Sequence, residues 1–290
     1  MSRAIAIASC QQLPAGDVED QLLVAALAEL GLTATVLPWT DRRVDWAGFD
    51  ATVIRSTWDY TVRRAEFLAW ADTVPRLHNP AGVLHQNSDK RYLARLAAAG
   101  IPIVPTEFFS PGEPVRLPAG IEFVVKPSVG AGSIGAGRFP ADAHDAAREH
   151  AELLHAAGRT VMVQPYLAEV DTAGETALIF LDGRFSHAIC KTALLAPDAR
   201  YRPDSEQLYL TETITARRPS DAERELAERV HEQLPASLLY ARIDLLPSPD
   251  GPLLLEAELI EPSLFLAHAD GAADRLAGAI ADRVAAGRRT

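Results

Sequence analysis

Near its C-terminal end the chain carries Leu253-Leu-Leu-Glu256-Ala-Glu258-Leu-Ile-Glu261-Pro262, an apolar run broken by acids two residues apart. Side chains alternate across a strand, so Glu256 and Glu258 share one face. The preceding run, Leu239 to Leu246, is also strand-like and carries Asp244, and Pro247-Ser-Pro-Asp-Gly251 reads as the turn between them. If these strands are neighbours, three carboxylates meet in apolar surroundings and repel unless a divalent cation neutralises them. Hard oxygen ligands select magnesium, or manganese. The plain alternative, a solvated strand face, fits poorly with the leucines before Glu256.

A second constraint comes from the cations. Of 28 basic residues only Lys90, Lys126 and Lys191 are lysines. A chain that uses Arg wherever any cation serves keeps Lys where a compact ammonium on a flexible stem is needed, although coding bias gives the same count, so position decides. Lys126 ends the apolar strand Phe123-Val-Val-Lys and leads into Ser128-Val-Gly-Ala-Gly-Ser-Ile-Gly-Ala-Gly-Arg138. That segment contains a literal G-x-G-x-x-G. The dinucleotide fingerprint, however, needs a helix starting at the glycines, and these run into Arg138-Phe139-Pro140. No Lys-Ser or Lys-Thr pair follows to make a P-loop. What remains is a hairpin tip in which backbone N–H groups around Gly130, Gly132 and Ser133 fold over phosphate oxygens, with a merely mobile loop as the rival reading. Lys90 opens the preceding helix, so two ammonium groups flank one pocket, as triphosphate charge requires. Together with the acidic strands, these residues imply ATP and Mg2+ (or Mn2+) as cofactors.

At 290 residues, 48% apolar and 23% charged, the chain is globular and long enough for two or three packed lobes. A net charge of -11 without any Lys/Arg block argues against nucleic acid as a partner. Cys10 and Cys190 are too few and too far apart for a disulfide framework or a zinc site, which fits a reducing cytoplasm. The opening Met-Ser-Arg-Ala-Ile-Ala-Ile-Ala reads as a buried strand rather than a signal peptide. No run approaches the roughly 20 apolar residues that span a bilayer, so no membrane partner is expected.

The periodicity predicts strands at 4–8, 33–37 and 51–55, with helices at 18–30 and 63–71, which describes a small parallel-sheet lobe over residues 1–86. Asn87-Ser88-Asp89 reads as the cap of a helix running to Ala99. Strands at 103–108 and 123–126, the glycine-rich hairpin and a helix at 141–157 complete an α+β lid over residues 87–160. Strands at 161–164, 176–181, 185–191, 208–214, 239–246 and 253–260, a helix at 220–234 and a closing helix beyond Ser263 make a third lobe, 161–290. Asp182-Gly183 is a strong hairpin turn. The fold class is α/β with α+β lid lobes.

Two lysines, a glycine-rich lid and an acidic metal set in this order resemble the ATP-grasp superfamily, over Lys90 to Ser263. The resemblance implies an ATP-grasp fold with an N-terminal parallel-sheet lobe. It also implies a nucleotide hinge at Gln164-Pro165-Tyr166-Leu167, with Glu169 or Asp171 near the ribose. Glu258 stands where that superfamily usually has Asn. Ile54-Arg-Ser-Thr-Trp-Asp-Tyr60, His78-Asn-Pro80, Asn87-Ser-Asp-Lys90 and Glu258-Leu-Ile-Glu-Pro-Ser-Leu-Phe265 are similar to the cyclo-ligases that close O-ureido-serine to cycloserine. The resemblance therefore implies a ligase of antibiotic biosynthesis that turns a carboxylate into an acyl phosphate and forms a C–N bond. Intermolecular amino-acid ligation and an ATP-grasp kinase are the alternatives.

Arg242 lies two residues before Asp244 on the same strand face and can reach a transferring phosphoryl group or an oxyanion; an ion pair with Asp244 is the rival reading. Lys191, at a strand end, has the same two readings, catalytic or surface cation. Open parallel sheets bind ligands beyond the carboxyl ends of their strands, where Arg55-Ser-Thr57-Trp-Asp59-Tyr60 follows the third strand. A small amino-acid-like substrate is expected there. Arg55 would hold its carboxylate and Asp59 its ammonium, Thr57 and Tyr60 would offer hydroxyls, and Glu261 and Ser263 would approach from the opposite lobe. Asp59 as a helix cap is the rival, and Trp58 reads as packing. His144, His150 and His155 lack metal-sharing spacing and read as surface residues. A homodimer is left open.

Overall fold

The structure, a computed structural model, describes residues 3–192 and 213–287. The chain begins β1 (Arg3–Ser9), α1 (Val18–Glu29), β2 (Leu32–Pro38), β3 (Ala51–Ile54), α2 (Arg64–Thr73), β4 (Leu77–His78), α3 (Ala81–Asn87) and α4 (Tyr92–Ala98). Its four strands form a parallel sheet in the order β2-β1-β3-β4. Residues Ile5 to Ser9 are buried without alternation because both faces of this sheet are covered. α1 starts at a reciprocal cap in which Asp17 accepts from the Asp20 amide at 2.9 Å and Asp20 from the Asp17 amide at 3.1 Å.

The helix expected from Asn87 does not start there. α3 ends at Asn87 and α4 begins at Tyr92. The Asn87 side chain instead donates to the Ala257 carbonyl at 2.8 Å and accepts from the Leu259 amide at 3.0 Å, so it is spent on a distant strand. Likewise, Ile103 makes only a lone bridge to Leu254, and the strand expected over 103–108 is reduced to β5 (Glu107–Phe109).

The lid continues with β6 (Phe123–Pro127), β7 (Gly137–Phe139), α5 (His144–Ala156) and β8 (Val161–Pro165), in the antiparallel order β5-β8-β6-β7. Because β8 belongs to this sheet, the lid extends past residue 160. It has its own apolar core around Phe123, Phe139 and Leu154. Of the three histidines of the α5 region, read as surface residues, only His150 is buried; His144 and His155 are half-buried. His144, His150 and His155 meet the carbonyls of Pro118, Gly135 and Phe109 at 2.7, 2.9 and 3.1 Å, and His150 is buried.

After the short α6 (Val170–Ala173) come β9 (Glu175–Leu181), β10 (Arg184–Lys191), β11 (Ile214–Ala216), α7 (Asp221–Glu232), β12 (Tyr240–Leu246), β13 (Leu253–Glu258) and α8 (Ala272–Ala286). The strand expected over 208–214 falls mostly outside the described residues. The antiparallel order is β11-β10-β9-β12-β13. Asp182 and Gly183 both have positive φ, 48° and 77°, as a two-residue hairpin with right-handed strand twist requires. α8 packs on α1, and a continuous apolar cluster joins Phe67, Leu84 and Leu93 of the first part to Ile243 and Ala257 of this sheet. Among the described residues no helix is long and apolar enough to cross a membrane.

Candidate active site

β12 and β13 run side by side with Arg242 opposite Glu258 and Asp244 opposite Glu256. The register slips after Asp244, where Leu245 faces Leu254, so Leu255 is the extra residue of a bulge. The bulge lets Leu255 and Glu256, adjacent in sequence, both line one cleft. One ligand oxygen from each of Asp244, Glu256 and Glu258 falls within 4.8 Å of the others.

Cations surround this triad. Arg242 grips Asp244 through Nε at 2.9 Å and Nη2 at 2.9 Å, reaches Glu258 at 2.7 Å and donates to the Ser263 carbonyl at 3.1 Å. Lys191 lies 3.0 Å from Asp244 and also pairs with Glu175, directly opposite it in the β9–β10 register. Lys90 lies 3.1 Å from Glu256 and donates to the Gly130 carbonyl at 2.8 Å. Lys126, by contrast, has no carboxylate within ion-pair distance among the described residues, yet it lines both the main cleft and the space beneath Gly130 to Ser133.

The electrostatics follow. Burial alone would raise Glu256, but Lys90, Lys126, Lys191 and Arg242 hold it well below the usual carboxylate range. Burial, with Glu256 and Asp244 nearby, pushes Glu258 up to about 8 against the pull of Arg242. Glu175 rises to about 7, mainly by burial, and burial lowers Lys126. Three carboxylates crowd together here, as the rise of Glu258 records, and the donors of the triad are all hard oxygens. Both properties fit a divalent cation of the magnesium class.

The cleft encloses about 880 Å³, its open mouth included. Its far end is apolar, walled by Val104, Leu246 and Leu255, and Gln164, Pro165, Tyr166 and Leu167 border it as β8 ends. Gln164 is fixed by a 2.8 Å bond to the Thr106 hydroxyl. The lid loop bends over the other end, with Gly132 and Ser133 successively at φ 57° and 60°. A left-handed pair of this kind turns consecutive N–H groups to one side.

Some expected residues lie elsewhere. Neither Glu169 nor Asp171 borders the cleft; Asp171 is held by Arg138 at 3.2 Å and by the Tyr166 hydroxyl, while Arg138 also grips Glu122 at 2.8 Å. Arg55 is buried, donates to the Pro262 carbonyl at 2.8 Å and lies 3.4 and 3.5 Å from Glu19 and Asp20, which leaves no fork for a carboxylate ligand. Asp59 accepts from the Trp39 indole at 2.8 Å, within a 3-10 turn whose cap position is Thr57. The Thr57 hydroxyl is buried without a hydrogen-bond partner among the described residues, and Ser263 offers its carbonyl to Arg242. Tyr60 and Glu261 do reach a small pocket next to the triad. Sequence reasoning missed Glu175, whose only local signal is its place at a strand start, and Leu255, whose bulge no alternation pattern announces.

Residues 5–79 match the family described as D-cycloserine synthetase DcsG, N-terminal domain. The chain is 39% identical over 276 residues to the cycloserine biosynthesis protein DcsG of Streptomyces lavendulae, covering 90% of this chain and 92% of that one. It superposes on the crystal structure of D-cycloserine synthetase DcsG with a TM-score of 0.86 at 36% identity, covering 97% of this chain and 99% of the other. A D-alanine–D-alanine ligase from Bacillus anthracis complexed with ATP gives 0.68 at 16% identity over 99% of both chains, a likeness of fold alone.

Proposed function

The chain belongs to the family of the D-cycloserine synthetase DcsG, which has the ATP-grasp ligase fold, and on that footing we propose that it closes O-ureido-serine to cycloserine. As an ATP-grasp ligase it activates a carboxylate with ATP and forms a C–N bond. The γ-phosphoryl group passes to the substrate carboxylate, ADP departs and an acyl phosphate results. The nitrogen bonded to the side-chain oxygen attacks the acyl carbon, phosphate leaves and a five-membered ring closes. Cycloserine lacks the carbamoyl group still attached to that nitrogen, so one water must release it as carbamate.

The residues fit these tasks, which consist of positioning and charge stabilisation. Lys90 and Lys126 hold the phosphates, Gly130, Gly132 and Ser133 cover them, and Gln164 to Leu167 with the apolar wall take the adenine. Arg242 and Lys191 steady the phosphoryl group in flight and the oxyanion of the acyl carbon. Asp244, Glu256 and Glu258 would hold Mg2+, which when bound neutralises phosphate charge. The reading rests above all on Lys126, an ammonium without a carboxylate partner among the described residues that opens onto the same cleft as Glu256 and Glu258. We place the reaction in the cytoplasm.

Incubation with ATP, Mg2+ and each enantiomer of O-ureido-serine should yield ADP, phosphate and, by mass analysis, cycloserine. ADP without a new C–N bond would favour a kinase. AMP with pyrophosphate would exclude the acyl phosphate.

A further inference from the structure

Beside the triad is a second, smaller pocket bordered by Lys90, Glu256 and Glu258 together with Tyr60, Tyr92 and Glu261. Within it the charges can be paired off. Glu256 is matched by Lys90 at 3.1 Å and Glu258 by Arg242 at 2.7 Å. Glu261 is left over. It is only 6% exposed, and its carboxylate has no hydrogen bond or ion pair with another residue among those described, only its own backbone N–H nearby. Tyr60, 5% exposed, also borders the pocket, and its hydroxyl has no hydrogen-bond partner among the described residues.

Both groups reach the pocket rather than being sealed away from it, and neither has a side-chain partner among the described residues, so each is open to a ligand. A ligand that brings a cationic donor satisfies both. Asp59 and Arg55, the obvious candidates for an amino-acid ligand, are already spent on Trp39 and on Glu19, Asp20 and Pro262. The α-ammonium of an amino acid is attached one carbon from its carboxylate, and the pocket joins Glu261 to the Lys90–Glu256 pair where that carboxylate meets the phosphates.

We propose that Glu261 and Tyr60 form the subsite for the substrate's α-ammonium group, the carboxylate accepting from it and the phenol oxygen completing its shell. The subsite rests on the ligase reading above and makes the enzyme selective for amino acids over plain carboxylic acids. A site built to pair with a charged group rejects the analogue that lacks it, because its own charge is then left buried and unmatched.

The test compares O-ureido-serine with 3-(ureidooxy)propanoic acid, which lacks only the amine, by ADP release in wild type, Glu261→Gln and Tyr60→Phe. Wild type should prefer the amine-bearing compound by at least about a hundredfold in kcat/KM. In Glu261→Gln that preference should fall to about tenfold or less, mainly through a higher KM for O-ureido-serine, with KM for ATP unchanged. Tyr60→Phe should show a smaller change of the same kind. The Tm of Glu261→Gln should be close to wild type, since burial pushes this carboxyl up to about 8 and it has no partner among the described residues to lose. Wild-type preference retained in both variants, or an equal loss of kcat for both compounds at unchanged KM, overturns the subsite alone. Wild type that turns over neither compound overturns the ligase reading and the subsite's ligand with it.

Discussion

Lys90 Nζ lies 3.1 Å from Glu256 Oε2 and donates at 2.8 Å to the carbonyl of Gly130, so one ammonium ties the acidic strand to the glycine loop. The lid is thereby anchored beside the acidic strand. Replacing Lys90 by Ala removes the tether and, on the proposed reading, a phosphate contact. KM for ATP should rise on the order of tenfold to a hundredfold. Hydrogen exchange at the amides of residues 130–135 should quicken in the same variant. Unchanged exchange would mean that the tether does not order the loop.

Glu258 is bound to Arg242, which is also bound to Asp244. Glu258→Asn keeps a hard oxygen while removing one of three crowded anions, and should retain activity within about tenfold. Glu258→Ala removes the oxygen and should lose on the order of a hundredfold in kcat, partly restored at high Mg2+. A magnesium titration of both variants checks this. Equal losses would remove Glu258 from the metal set.

Asn79 is fully buried and donates to the carbonyls of Tyr240 and Leu259 at 2.9 and 2.8 Å while accepting from the Leu239 amide at 2.6 Å. It sews the end of the first sheet to the strands that carry the triad. Asn79→Ala strands three buried backbone groups and should cost about 3 kcal/mol in urea unfolding. A loss below about 1 kcal/mol would show that the neighbours relax to pair with one another.

What the sequence made legible is what period and order encode. Asp244, Glu256 and Glu258 could be brought together on paper because strand alternation survives through them, and Lys126 because an apolar strand delivers it to glycines. Long-range partners were not legible. Asn87 looks like a helix cap until β13 arrives to claim its amide, and Arg55 looks like a ligand fork until Glu19 and Asp20 of α1 close on it. Local composition likewise gives no hint that His150 is buried against the Gly135 carbonyl. Asn87, Arg55 and His150 are all polar side chains whose partners lie outside their own elements.

His78 tests pH dependence. Burial, with the Arg283 guanidinium 3.5 Å away, lowers it from 6.5 to about 4. The unfolded chain therefore binds the proton first as pH falls. Stability is full above about 6.5 and declines toward pH 4, by at most about 3 kcal/mol at roughly 1.4 kcal/mol per unit. In His78→Gln the decline over this window should be shallower by that amount, as read from urea midpoints at successive pH values. Parallel curves would show that His78 does not carry it.

The central claim is that the ammonium of Lys126 and the carboxylate of Glu256 serve one metal-bound triphosphate. Calorimetric titration with a non-hydrolysable ATP analogue, with and without Mn2+, tests it in wild type, Lys126→Met and Glu256→Gln. Wild type should bind at least about tenfold more tightly with the metal, Glu256→Gln should lose that increment, and Lys126→Met should bind weakly in both conditions. Wild-type affinities with an intact metal effect in both variants would contradict the account.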